Sequence, residues 1–208
     1  MNETTKQLIE QLNDKSSKRR RSAAKKLRKL KDITAGPELS SALIKEIRDK
    51  RTWETQYQII MALGESGHIE CLPFLLQISV QEFEAKMIYL AIGDAIGRLT
   101  YIKNGSISNA LELLKKKGQN PFLIDGLVRA IAMLKLTPSE DDIEQILNYG
   151  NEQRNDDNTR FWVASAAAGW SGKKVEDFLI KTAESGSPQA RKAAEAALKK
   201  IYPKWDIL

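Results

Sequence analysis

Cysteine and histidine are nearly missing from this chain of 208 residues: each occurs once, as Cys71 and His68. A single thiol excludes an internal disulfide framework and fits a reducing compartment, and one thiol with one imidazole is too few for a zinc site. Cys71 therefore reads as a small core residue. Long apolar runs are missing too, since no stretch approaches the roughly 20 residues that a bilayer-spanning helix needs. The opening stretch MNETTKQLIEQLNDK carries charges throughout and holds no apolar segment of the signal-peptide kind. A cytoplasmic protein without membrane association is the expectation. There is also no glycine-rich phosphate loop, no Ser–His pair in a recognisable context and no His/Cys cluster. The composition thus predicts no catalytic residue, no metal and no small-molecule cofactor.

Charge is present but unevenly placed. Residues 15–31 contain ten Lys or Arg and no acid, so the rest of the chain holds 33 − 10 = 23 basic against 27 acidic residues. The protein is a mildly acidic chain with one basic end. Any electrostatic argument about an anionic partner rests on that end. Residues 140–157 are the acidic counterpart, with Glu140, Asp141, Asp142, Glu144, Glu152, Asp156 and Asp157 against Arg154. Within them Asp156-Asp157-Asn158 lacks the alternation and the distant Glu of a calcium loop, and reads as a solvated turn.

What the chain does have is helical periodicity. Six stretches, RRSAAKKLRKL, YQIIMALGESG, YLAIGDAIGRL, VRAIAMLKL, VASAAAGWSG and RKAAEAALKKI, align on the apolar anchors Leu27, Leu63, Ile96, Leu134, Ala168 and Leu198. The anchors are separated by 36, 33, 38, 34 and 30 residues, the period of a stacked helical array. Each stretch is preceded by another amphipathic one: TKQLIEQL, ELSSALIKEI, CLPFLLQI, ISNALELLKK, DDIEQILNY and VEDFLIKTA. Leu39, Ala42, Leu43 and Ile47 illustrate the i, i+3, i+4 spacing of their apolar faces. Gly- and Pro-bearing turns separate the elements, and Ser139 before Glu140 predicts a helix N-cap. The prediction is an all-α chain, a right-handed α-solenoid of about six antiparallel helix pairs forming an αα-superhelix over residues 1–208 as one domain.

Residues 20–30, RRSAAKKLRKL, and residues 190–198, ARKAAEAAL, resemble the second helix of a HEAT repeat. Residues 62–75, ALGESGHIECLPFL, resemble that family's junction into the next repeat, including the proline inside its first helix. The resemblance is good over 16–80 and 157–202 and weaker between, where Lys135 replaces the usual glycine. It implies a scaffold that binds other macromolecules, chiefly proteins. Short bacterial relatives that the resemblance also brings in include phycobilin lyases, DNA glycosylases and immunity proteins that occlude a toxin. Fold does not choose among them.

Two surfaces are candidates. On a helical wheel centred on Leu27, Lys18, Arg21, Lys25, Arg28 and Lys29 point away from the apolar seam, making a cationic outer face. That face reads as a solvated terminal cap or as a docking site for an anionic partner, protein or nucleic acid. In HEAT-like solenoids the second helices line the concave side, which would bring Tyr57, Arg98, Arg129, Trp162 and Trp170 onto a groove. Tyr, Trp and Arg are the residue types that dominate binding hot spots. The alternative is that both tryptophans pack against adjacent helices. For a glycosylase relative, Asp94, Asp125, Arg98, Arg129 and Trp162 would supply the needed residue types, although the family's catalytic motif does not align. The expected function is non-enzymatic binding of another protein along the concave face, with nucleic-acid binding and toxin immunity as alternatives.

Overall fold

The computed structural model describes residues 2–115, 119–152 and 157–203, and the acidic-segment residues Arg154 and Asp156 lie outside them. Among the described residues there are twelve α-helices and no strand. The first helix of each pair is α1 (Glu3–Gln11), α3 (Gly36–Glu46), α5 (Leu72–Ile78), α7 (Ser108–Lys115), α9 (Glu140–Asn151) or α11 (Lys173–Ser185). The second helices are α2 (Ser17–Leu30), α4 (Trp53–Ser66), α6 (Lys86–Asn104), α8 (Pro121–Leu134), α10 (Asn158–Ala166) and α12 (Pro188–Leu198). Each second helix packs on its own first helix and on the second helices before and after it. The result is a right-handed α-solenoid of six antiparallel pairs, as the periodicity predicts.

Local chemistry starts and stops these helices. Ser139 caps α9 by accepting from the Asp142 amide at 3.2 Å, and the carboxylates of the first turn sit at the positive helix end. Asn2, Asn120 and Ser187 cap α1, α8 and α12 in the same way. Four of the second helices, α2, α4, α6 and α8, end on left-handed residues: Lys31 (φ 52°), Gly67 (78°), Gly105 (67°) and Lys135 (54°). Lys135 therefore occupies the conformation that glycine adopts at equivalent ends, at a cost of about 1 kcal/mol.

Buried apolar side chains form a cluster from Leu8 to Ala197. The second helices approach one another most closely where small residues meet. A Cβ on Gly93 would stand 1.9 Å from the Leu123 carbonyl oxygen, and one on Gly126 would stand 2.1 Å from that of Leu90. The two glycines thus let α6 and α8 touch backbone to backbone. Similarly, Gly64 of α4 faces Ala95 of α6, 2.8 Å from its would-be Cβ. Close approach along this row, against sparser contact among the first helices, makes the second helices a continuous wall on one side of the stack.

Candidate functional site

A line of charged side chains crosses the second-helix wall. Arg28 of α2 lies 4.0 Å from Glu65 of α4, and Arg98 of α6 approaches the same carboxylate at 3.4 Å. The Arg98 Nε donates to Asp94 Oδ1 at 2.6 Å, and Arg129 of α8 donates to the other Asp94 oxygen. The Arg129 guanidinium in turn covers the Trp162 ring of α10 at 5.5 Å. From Arg28 to Arg129 the side chains are between 0 and 11% exposed, so this ladder is a buried element of the wall. Lys31, exposed, closes its outer end on Glu65 at 3.0 Å.

Burial alone would push the Asp94 carboxyl up; the guanidiniums of Arg98 and Arg129 outweigh it and hold the carboxyl below the usual range. Burial likewise opposes the charge on Arg98, but Asp94 and Glu65 overcome it and raise its pKa. At Arg28 burial wins, and the guanidinium pKa is lowered. These groups are committed to one another.

That commitment revises several expectations. Arg28, predicted on the cationic outer face, is buried against Glu65, because the flank of α4 covers its side of α2. Arg98 is buried rather than lining an open groove, and Arg129 is mostly covered. Trp170 is 0% exposed and cannot reach a partner from there. The wheel carries α10 through Trp170, whereas the helix stops at Ala166 and a 3-10 turn follows over Ala167–Gly169. The chain then extends at Trp170 and tucks the indole inward, where its N–H donates to the Leu136 carbonyl at 2.9 Å. Trp162 is half-buried, edge-on to Phe161 and beneath Arg129. Asp94 and Asp125, the carboxylates a glycosylase relative would need, are both buried; Asp125 accepts from the Thr159 hydroxyl at 2.7 Å. Lastly, Cys71 is a core thiol that burial pushes up to about 12.

The basic stretch itself divides in two. Of its ten cations, Arg19, Arg20, Arg21, Arg28 and Lys31 have carboxylate partners, in Asp14, Glu46, Glu54 and Glu65. Lys18, Lys25 and Lys29 are exposed, and among the described residues none has a carboxylate at ion-pair distance.

Lys18, Arg21 and Lys25 form one side of a cleft of about 630 Å³ at the start of the second-helix wall. Trp53 and Tyr57 of α4 and Met87 of α6 supply its apolar surface, with Ser22, Gln58 and Glu54 completing the lining. Trp53 is 38% exposed and Met87 37%, over a Tyr57 that is 8% exposed. Tyr57 therefore lies at the floor of the cleft. The wheel misses Trp53 and Met87. Trp53 sits one turn before Tyr57 on the same stripe, a position that becomes readable once α4 is known to begin there. Among the described residues, no helix is long and apolar enough to cross a membrane.

No protein-family model and no curated protein matches the sequence. Solved structures similar to it include two designed armadillo repeat proteins. One is 16% identical with a TM-score of 0.42, covering 94% of this chain and 98% of that one. The other, in complex with peptide (KR)4, is 20% identical with a TM-score of 0.45, covering 96% and 99%. Human deoxyhypusine hydroxylase is 14% identical with a TM-score of 0.42, covering 94% of this chain and 83% of that one.

Proposed function

We propose that the chain is a HEAT-type binding scaffold that holds another protein against the second-helix wall of its solenoid. The observation that carries this reading is the cleft at the start of that wall, where Lys18, Lys25, Trp53 and Met87 remain exposed above Tyr57. Aromatic and Met surface beside cations with no carboxylate partner among the described residues is the kind of surface that a partner covers. A non-enzymatic role accords with the site chemistry, since the wall's acids are tied to Arg98, Arg129, Arg28 and Thr159. The buried cluster from Leu8 to Ala197 supports treating the chain as one binding unit.

Nucleic acid is the weaker alternative. The positive charge available to a phosphate backbone is split between α2 and the far end at Arg191, Lys192 and Lys199, and between them Arg98 and Arg129 are already paired and covered.

The test is site-specific photocrosslinking in cells of the source organism. A crosslinker at Lys25 is expected to trap a protein partner, and one at Lys181 on the first-helix side is not. Crosslinking from position 181 with none from position 25 would overturn the reading.

A further inference from the structure

Resting on that reading, the cleft's chemistry points to a particular ligand. We infer that the cleft takes an acidic peptide segment carrying one bulky apolar side chain, its carboxylates on Lys18 and Lys25 and its apolar group between Trp53 and Met87.

Charge sets the first requirement. Lys18, Arg21 and Lys25 fall at i, i+3 and i+7 on α2 and share a face. The helix rise spreads Lys18 and Lys25 over about 10 Å, while Glu54 engages Arg21 between them. Two ammonium groups therefore stand at the ends of a short row with no carboxylate partner among the described residues. Complementary acids on the ligand need a matching separation, with neutral or apolar chemistry between them.

The apolar surface sets the second requirement. Trp53 and Met87 come from different helices and stand on the rim, and Tyr57 closes the bottom. An indole, a thioether and a phenol ring around one opening accept a leucine- or phenylalanine-sized group, and Met adapts to its shape. Acids alone would leave this surface wet.

The layout of charge favours a peptide over a nucleic acid. An oligonucleotide would need a cationic track beyond the cleft. Along α2 the row continues into Lys29, but across the wall Arg28 and Arg98 are buried and ion-paired.

The experiment uses the full chain and fluorescence anisotropy with three labelled probes. These are an acidic peptide with one central leucine, the same peptide with serine in its place, and an oligothymidylate of equal charge. The leucine peptide is expected to bind best, the serine peptide about tenfold more weakly, and the oligothymidylate no better than the serine peptide. Lys18→Glu with Lys25→Glu should weaken the leucine peptide by at least about tenfold, with helicity by circular dichroism unchanged. Trp53→Ala should remove the preference for leucine over serine while leaving the weaker, salt-sensitive binding. Equal binding of the two peptides, tighter binding of the oligothymidylate, no binding of the leucine peptide, or indifference to all three substitutions each overturns the inference. A partner crosslinked at position 25 that lacks an acidic segment would sink the ligand chemistry alone. Crosslinks solely from the first-helix side would sink the scaffold reading as well.

Discussion

Replacing Asp94 with Asn is the sharpest test of the buried ladder. Asp94 is 0% exposed and divides its two oxygens between Arg98, at 2.6 Å, and Arg129. An amide can accept from one guanidinium but turns an NH2 toward the other, leaving a buried positive charge without its counter-ion. Breaking a buried pair from one side costs about 3–5 kcal/mol. The lower end applies here, because Arg98 keeps Glu65 at 3.4 Å and Arg129 keeps its stacking on the Trp162 ring. For a chain of this size about 3 kcal/mol corresponds to a melting temperature lower by roughly 6–12 °C. The pH dependence gives an independent check. A carboxyl depressed in the folded state contributes stability above its unfolded pKa and loses it as pH falls through the folded one. The gap between wild type and Asp94→Asn should therefore be full at neutral pH and shrink below about pH 4. Thermal unfolding by circular dichroism from pH 7 to pH 3 measures both. A shift under about 2 °C at neutral pH, or a gap unchanged into acid, would refute the claim that these charges are dry and mutually dependent.

Other positions test the packing. Gly126→Ala places a methyl 2.1 Å from the Leu90 carbonyl oxygen, so α6 and α8 must separate; the expected loss is about 2 kcal/mol or more by urea unfolding, despite alanine's better helix propensity. Trp170→Phe removes the 2.9 Å bond to the Leu136 carbonyl and should lower stability by about 1–3 kcal/mol, whereas an unchanged urea midpoint would mean the indole is not buried as described. The Cys71 thiol, pushed up to about 12 by burial, should ignore Ellman's reagent in the native protein and react once denaturant is added.

Part of the candidate site is legible in the sequence. Helical periodicity puts Lys18, Arg21, Lys25 and Tyr57 on outward positions, and all four line the cleft. Trp53 escapes because its place on the same stripe depends on where α4 begins, and Met87 because it joins the cleft only when α6 is packed beside α4.

By itself, the sequence determined the row of helices. Apolar residues at helical spacing with a period in the thirties oblige the pairs to stack, and turn and cap residues such as Ser139 fix where they begin. The concentration of cations on α2 was equally plain. Only the tertiary structure decided which of those charges and rings face water. A wheel describes one helix in solvent, but exposure depends on how near the neighbouring helix comes, and Gly64, Gly93 and Gly126 bring the second helices close enough to enclose Arg28, Arg98 and Asp94. Trp170 turned inward for a separate reason: α10 ends four residues before it, so the helical projection no longer applied.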